Sequence, residues 1–189
     1  LPVIGGDDAR VDEDAAAEMV DYAMANGVNY YDTAWGYHSG NSELVLGRAL
    51  ARHPRDSFYI ADKFPGYDLS NMPKVQEIFE AQLKKCQVDH FDFYLLHNVC
   101  EDSIPVFTDE TLGVIPYLLE QKKAGRIRHL YISERYRRRG IGQQLLGLVP
   151  VAPASHVGQD QGHRAHLFQG AEHHLRVAVG GGGDADVDA

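Results

Sequence analysis

Three apolar, strand-like runs at residues 28–31, 58–61 and 91–96 each lead into a side chain able to do chemistry: Asp32, Lys63 and His97. The steps from Asp32 to Lys63 and from Lys63 to His97 are 31 and 34 residues, the length of one strand, one helix and the return connection. Strands spaced in this way pair in parallel through right-handed crossovers. Polar groups at the ends of successive parallel strands share one face, and in a (β/α) barrel that face carries the chemistry.

The stretches between the runs have helical periodicity. Asp12 is expected to cap a helix with the apolar face Ala16, Met19, Val20, Ala23 and Met24, stopped by Asn26-Gly27. Ser42 reads as the cap of a second helix through Leu46 and Leu50, closed by His53-Pro54. Ser70 or Asn71, with Pro73 in the first turn, opens a third carrying Val75, Ile78, Phe79 and Leu83. A fourth runs through Leu118 and Leu119 to Gly125, and a strand follows at residues 127–132. Counting a stump at Leu1-Pro2, the expected class is α/β: an incomplete (β/α)8 TIM barrel of about five parallel strands. The 189 residues fall short of the roughly 250 of a complete barrel.

Charge narrows the partners. Residues 1–130 hold 12 Lys/Arg and 21 Asp/Glu and so carry all of the net charge of −9. Such a body lacks the cationic surface that nucleic acid or an anionic membrane requires. No apolar stretch approaches the roughly 20 residues that span a bilayer, and no signal peptide is visible. Two cysteines, Cys86 and Cys100, are too few for a disulfide scaffold, and the expected compartment is the cytoplasm.

Asp32, Tyr37, Lys63 and His97 together form a set able to protonate a carbonyl. A free phenol titrates near pH ~10, and an ammonium at 4 Å would favour its phenolate by about 4 kcal/mol at an effective dielectric of ~20. Lys63 is the candidate ammonium and Asp32 the carboxylate holding it, while His97 would hydrogen-bond the substrate oxygen. Trp35 and Tyr67, on loops after strands, are candidates either to wall a substrate pocket or to pack on helices.

Tyr31-Asp32-Thr33-Ala34-Trp35-Gly36-Tyr37 resembles the aldo-keto reductase signature. Asp62-Lys63 and Leu95-Leu96-His97-Asn98 match the lysine and histidine of the same tetrad, and residues 122–130 resemble the family's passage from fourth helix to fifth strand. The resemblance covers about residues 1–130. It implies NADPH as cofactor, a small-molecule carbonyl substrate, Tyr37 as proton donor, Asp32 and Lys63 tuning it, and His97 orienting the carbonyl. Ser133 falls at the family's nicotinamide-binding serine.

A second resemblance begins where the first ends. Residues 130–146 resemble the acetyl-CoA pyrophosphate loop of the Gcn5-related N-acetyltransferases, with its Arg/Gln-x-x-Gly-x-Gly at Arg137 to Gly142. A glycine turn leading into a helix exposes N–H groups to phosphate, so Arg137, Gly140 and Gly142 are candidate acetyl-CoA contacts. After Lys123 there is no lysine and after Tyr136 no tyrosine, and residues 180–183 are all glycine. The domain reading is therefore 1–133 as partial barrel, 134–149 as glycine turn and short helix, and 150–189 as a disordered tail. His163, His166, His173 and His174 in that tail read as incidental rather than metal-binding. The alternatives to a carbonyl reductase are an acetyl-CoA-dependent N-acetyltransferase fragment and a non-catalytic chain, either truncated and chimeric or a half-barrel self-associating through open sheet edges.

Overall fold

The computed structural model describes residues 1–100 and 102–131. Asp12 begins the first helix: its carboxylate accepts the Ala15 N–H at 3.0 Å, one of the donors that a helix start leaves open. That helix, α1, spans Glu13–Ala25, and the chain leaves it through Gly27 at φ 85°, a conformation glycine adopts without a steric penalty. Then come β1 (Tyr30–Asp32), α2 (Ser42–Leu50), β2 (Tyr59–Phe64) and α3 (Val75–Cys86). Next are β3 (Phe91–Leu96), a single helical turn α4 (Ile104–Phe107), α5 (Val114–Lys123) and β4 (Ile127–Tyr131).

The four strands make one parallel sheet in the order β1-β2-β3-β4. This is the α/β, partial-barrel architecture that the strand spacing implies. Its core lies between sheet and helices. Phe79 of α3 sits near-perpendicular to the rings of Phe91, Tyr94 and Tyr117, at 5.9, 5.2 and 6.0 Å. Each such pair adds about 0.5–1.5 kcal/mol beyond the area it buries. Helices α2 and α3 meet at Gly47, where a Cβ would lie 2.4 Å from the Lys85 carbonyl oxygen and 2.6 Å from the Cys86 Cα. Only a residue without a side chain permits that approach. At the far end of the sheet the buried Asp92 carboxylate accepts from the Ile60 N–H at 2.9 Å, Arg55 at 2.7 Å and Arg128 at 2.8 Å, which pins three segments to one charge.

Four local expectations are corrected. Leu1-Pro2 adds no strand to the sheet; Val3 makes an isolated antiparallel bridge to Val11, so the parallel strands among the described residues number four. Ser42 is inside α2, with Asn41 at the cap position, because its hydroxyl is buried and accepts from Thr33 Oγ1 at 2.9 Å. That helix also ends at Leu50, before His53-Pro54. Ahead of α3, Asp68 rather than Ser70 or Asn71 does the capping: it accepts the Ser70 N–H at 2.9 Å and starts a 3-10 turn, Leu69–Lys74, that contains Pro73. Among the described residues, no helix is long and apolar enough to cross a membrane.

Candidate active site

Strands β1, β2 and β3 finish at one rim. The Thr33 N–H donates to the Ala61 carbonyl and the His97 N–H to the Phe64 carbonyl, both at 3.0 Å, so each strand end is tied to its neighbour. Asp32 pairs in register with Ala61, and Lys63 with Leu95. Tyr37 opens the 3-10 turn Tyr37–Gly40 that follows β1. The backbone beside the site is strained: His38 and Ser39 have φ 53° and 54°, and Asn98 has φ 52°. Left-handed conformations at non-glycine residues cost of order 1–3 kcal/mol each and persist only where surrounding contacts enforce them.

Lys63 is 9% exposed. Its ammonium donates to the Asp32 carboxylate and to the Thr33 carbonyl at 2.7 Å, which commits two of its three donors. The Tyr37 ring centre lies 5.0 Å from Lys63 Nζ, and the same ring meets the His97 imidazole at 6.0 Å and 85°. Burial, and then the Lys63 charge, hold His97 below the usual histidine range, with Asp32 opposing. Its Nδ1 is buried and has no hydrogen-bond partner among the described residues. Tyr37 itself is 42% exposed, open to an incoming molecule. The four residues singled out from the sequence thus lie together. Ser133, Arg137, Gly140, Gly142 and the four tail histidines lie outside the described residues, as do the segments 134–149 and 150–189.

Two neighbours, Tyr30 and Thr33, escaped the sequence reading. Tyr30 shares the Asp32 environment, and burial together with the Asp32 carboxylate pushes its phenol up. Thr33 contributes a backbone carbonyl, which no side-chain pattern reveals. Tyr67 stands edge-on to the His97 ring at 5.2 Å and 86°, and its hydroxyl lies 2.8 Å from where a Cβ on Gly36 would be. Trp35, the other candidate pocket wall, has its ring 3.9 Å from Lys85 Nζ and packs on α3.

This geometry coincides with a match of the Aldo/keto reductase family over residues 3–139. The chain belongs to the aldo/keto reductase family. Probable aldo-keto reductase 1 of Glycine max is 31% identical over 130 residues, which are 65% of this chain and 36% of that protein. The NADH-specific methylglyoxal reductase of Escherichia coli (strain K12) is 27% identical over 144 residues, 67% of this chain and 42% of that protein. Among solved structures, the holo form of an aldo-keto reductase from Bacillus halodurans superposes with a TM-score of 0.52 at 29% identity, over 68% of this chain and 44% of that one. This chain therefore spans less than half the length of these relatives. The family match continues past residue 130, where the second resemblance begins, and runs to 139. The acetyltransferase resemblance of residues 130–146 finds no support in these comparisons.

Proposed function

We propose that the chain carries the catalytic rim of an NADPH-dependent carbonyl reductase, with Tyr37 delivering a proton to the carbonyl oxygen of a small molecule. One observation supports this above the others: a buried ammonium, fixed between Asp32 and the Thr33 carbonyl, lies 5.0 Å from the ring of an exposed tyrosine. As the phenol O–H bond breaks, negative charge develops on the Tyr37 oxygen, and a preorganised cation is the group that stabilises it. Asp32 keeps the ammonium in place. His97, held toward its neutral form by burial and Lys63, is suited to donate an N–H hydrogen bond to the carbonyl oxygen rather than to compete as an acid.

The residues fit a reduced nicotinamide in two respects. The His97 Nδ1 is a buried polar atom with no partner among the described residues. Strand β4 pairs with β3 as far as Tyr131 opposite Leu95, and Leu95 is in register with Lys63, so the chain reaches the site rim two residues before Ser133. Ser133 would hold the carboxamide. A bound reduced nicotinamide supplies the hydride to the carbonyl carbon. The name of the Escherichia coli relative, a methylglyoxal reductase, agrees with a carbonyl substrate and makes NADH the cofactor to test beside NADPH.

The test is oxidation of NADPH and of NADH by the full chain with methylglyoxal as the probe carbonyl. Carbonyl-dependent oxidation that disappears in Tyr37→Phe supports the reading. Oxidation that survives in Tyr37→Phe removes Tyr37 as proton donor.

A further inference from the structure

We infer that Gln82 is the positioning residue for Lys63, acting from helix α3 through a buried hydrogen-bond frame; the inference rests on the role proposed for Lys63 above. Strand β1 ends at Asp32 opposite Ala61, so no strand flanks Lys63 on that side. Side chains take both of its backbone groups instead. The Lys63 N–H donates to Asp62 Oδ1 at 2.8 Å, and its carbonyl accepts from Gln82 Nε2 at 3.0 Å.

Gln82 is fully buried and each of its polar atoms is occupied. Nε2 also donates to Glu43 Oε1 at 3.0 Å, and Oε1 accepts from the Tyr94 hydroxyl at 2.5 Å. Glu43, itself fully buried, is held from its other oxygen by Lys85 at 2.7 Å. Position 82 falls on the apolar stripe of α3 between Phe79 and Cys86, where an aliphatic side chain would pack without any polar atoms to satisfy. A buried amide there costs stability unless every group is bonded, and a fully bonded one fixes a single arrangement. The carbonyl it grips belongs to Lys63.

Holding that carbonyl fixes the peptide plane after Lys63 and hence the direction in which its side chain leaves the strand. A lysine stem is long and flexible, so the ammonium stays between Asp32, Thr33 and Tyr37 only if its root does. Gln82 reaches none of the reacting groups; it acts through Lys63.

Two variants and one control test this in the full chain. Gln82→Met keeps the length and packing of the side chain but leaves the Lys63 carbonyl and Glu43 Oε1 without the amide that donates to them. Tyr94→Phe loosens Gln82 without touching Lys63 and serves if Gln82→Met fails to fold. Ile78→Ala, on the same buried face of α3, removes only packing. The readouts are the rate of Lys63 reductive methylation by formaldehyde and borohydride, relative to Lys84 by mass spectrometry, and the split of kcat from KM with methylglyoxal. Gln82→Met should label Lys63 about threefold faster or more, as local opening predicts. Its kcat should fall about tenfold while KM moves less than about twofold. Tyr94→Phe should move both in the same direction by less, and Ile78→Ala should lower the thermal midpoint and move neither. If Gln82→Met and Tyr94→Phe behave as Ile78→Ala does, Gln82 is structural and the inference is overturned. If the wild-type chain turns over no carbonyl while Lys63 labelling responds as expected, the Lys63 anchor stands and the reductase reading falls.

Discussion

The ring of Tyr37 meets the imidazole of His97 edge to face, with centroids 6.0 Å apart and planes at 85°. The two residues arrive from different strand ends, so their contact measures how well β1, β2 and β3 finish at a common level. Lys63, on the strand between them, lies 5.0 Å from the Tyr37 ring centre. The ammonium faces the ring, and its two hydrogen bonds go to Asp32 and Thr33.

Lys63→Met should therefore separate chemistry from folding. Asp32 has a side chain 39% exposed, so it can rehydrate when the buried Lys63 ammonium is lost, and an apolar side chain of similar length can fill the space the lysine leaves. Turnover, if it depends on the ammonium, should fall by about 10²–10⁴-fold, the range for losing a positioned acid–base partner. Lys63→Arg should not restore it, because a planar guanidinium cannot reproduce a compact point charge in the same space. Steady-state rates beside urea midpoints decide the matter. Equal loss in both would make Lys63 a folding residue.

The imidazoles of His97 and His129 are both held below the usual histidine range, chiefly by burial, with Lys63 and Lys122 as the next contributors. The folded chain then binds those protons less readily than the unfolded chain does. As pH falls through the ordinary value of ~6.5, the unfolded state takes up protons that the folded state refuses, and stability drops. Urea midpoints should decline between about pH 7.5 and 5.5. His97→Asn should remove the His97 share and flatten that slope. An unchanged slope would mean that His97 is protonated as easily in the fold as outside it.

The sequence carried the strand-and-helix order because each element obeys a local rule. Asp12 accepts an N–H at the start of α1, Gly27 turns out of its end, and the apolar runs pair as β1 to β3. It carried the four site residues because strand ends after parallel crossovers share a face. What it did not carry depends on contacts distant in sequence. Ser42 looks like a helix cap until Thr33, nine residues earlier, donates a hydrogen bond to it. Glu43 looks like an ordinary acid in a first helical turn, yet Gln82 and Lys85 hold it in the interior. Gln82 offered one legible signal, an amide on an otherwise apolar face, and periodicity alone does not say what such an amide grips.

Gly47→Ala tests the close approach of α2 and α3. The added methyl would meet backbone atoms of Lys85 and Cys86 at 2.4–2.7 Å, and backbone cannot turn aside as a side chain can. The helices must part, at about 1–3 kcal/mol for overpacking of this kind. Glu43 lies one turn before Gly47 on the same face, so the separation should also stretch its bonds to Gln82 and Lys85. Denaturant unfolding should report the loss, and Leu50→Val, a conservative trim on the same helix, should cost less. A Gly47→Ala chain as stable as wild type would show that the two helices slide without penalty.

Asp62→Asn reads the frame from its acidic side. Asp62 is fully buried, and burial followed by the Glu43 charge pushes its carboxyl well above the usual range, with the Lys63 N–H and ammonium opposing. A raised folded value means that, between the ordinary value and the folded one, Asp62 keeps its proton in the fold while the unfolded chain has released it. Its contribution is fully present below the ordinary value of ~3.9 and is lost as pH rises toward the folded value. At neutral pH an asparagine has the same shape with no charge to suppress. Its carbonyl oxygen can still accept the Lys63 N–H, and its amide can donate to Glu43. Asp62→Asn should therefore raise stability near pH ~7 by about 0.5–2 kcal/mol, and the gain should vanish near pH ~3.5, where aspartic acid is protonated in both states. Thermal midpoints at the two pH values measure this. A variant less stable at neutral pH would mean that Asp62 is ionised in the fold, with the Lys63 N–H and ammonium outweighing burial and the repulsion of Glu43.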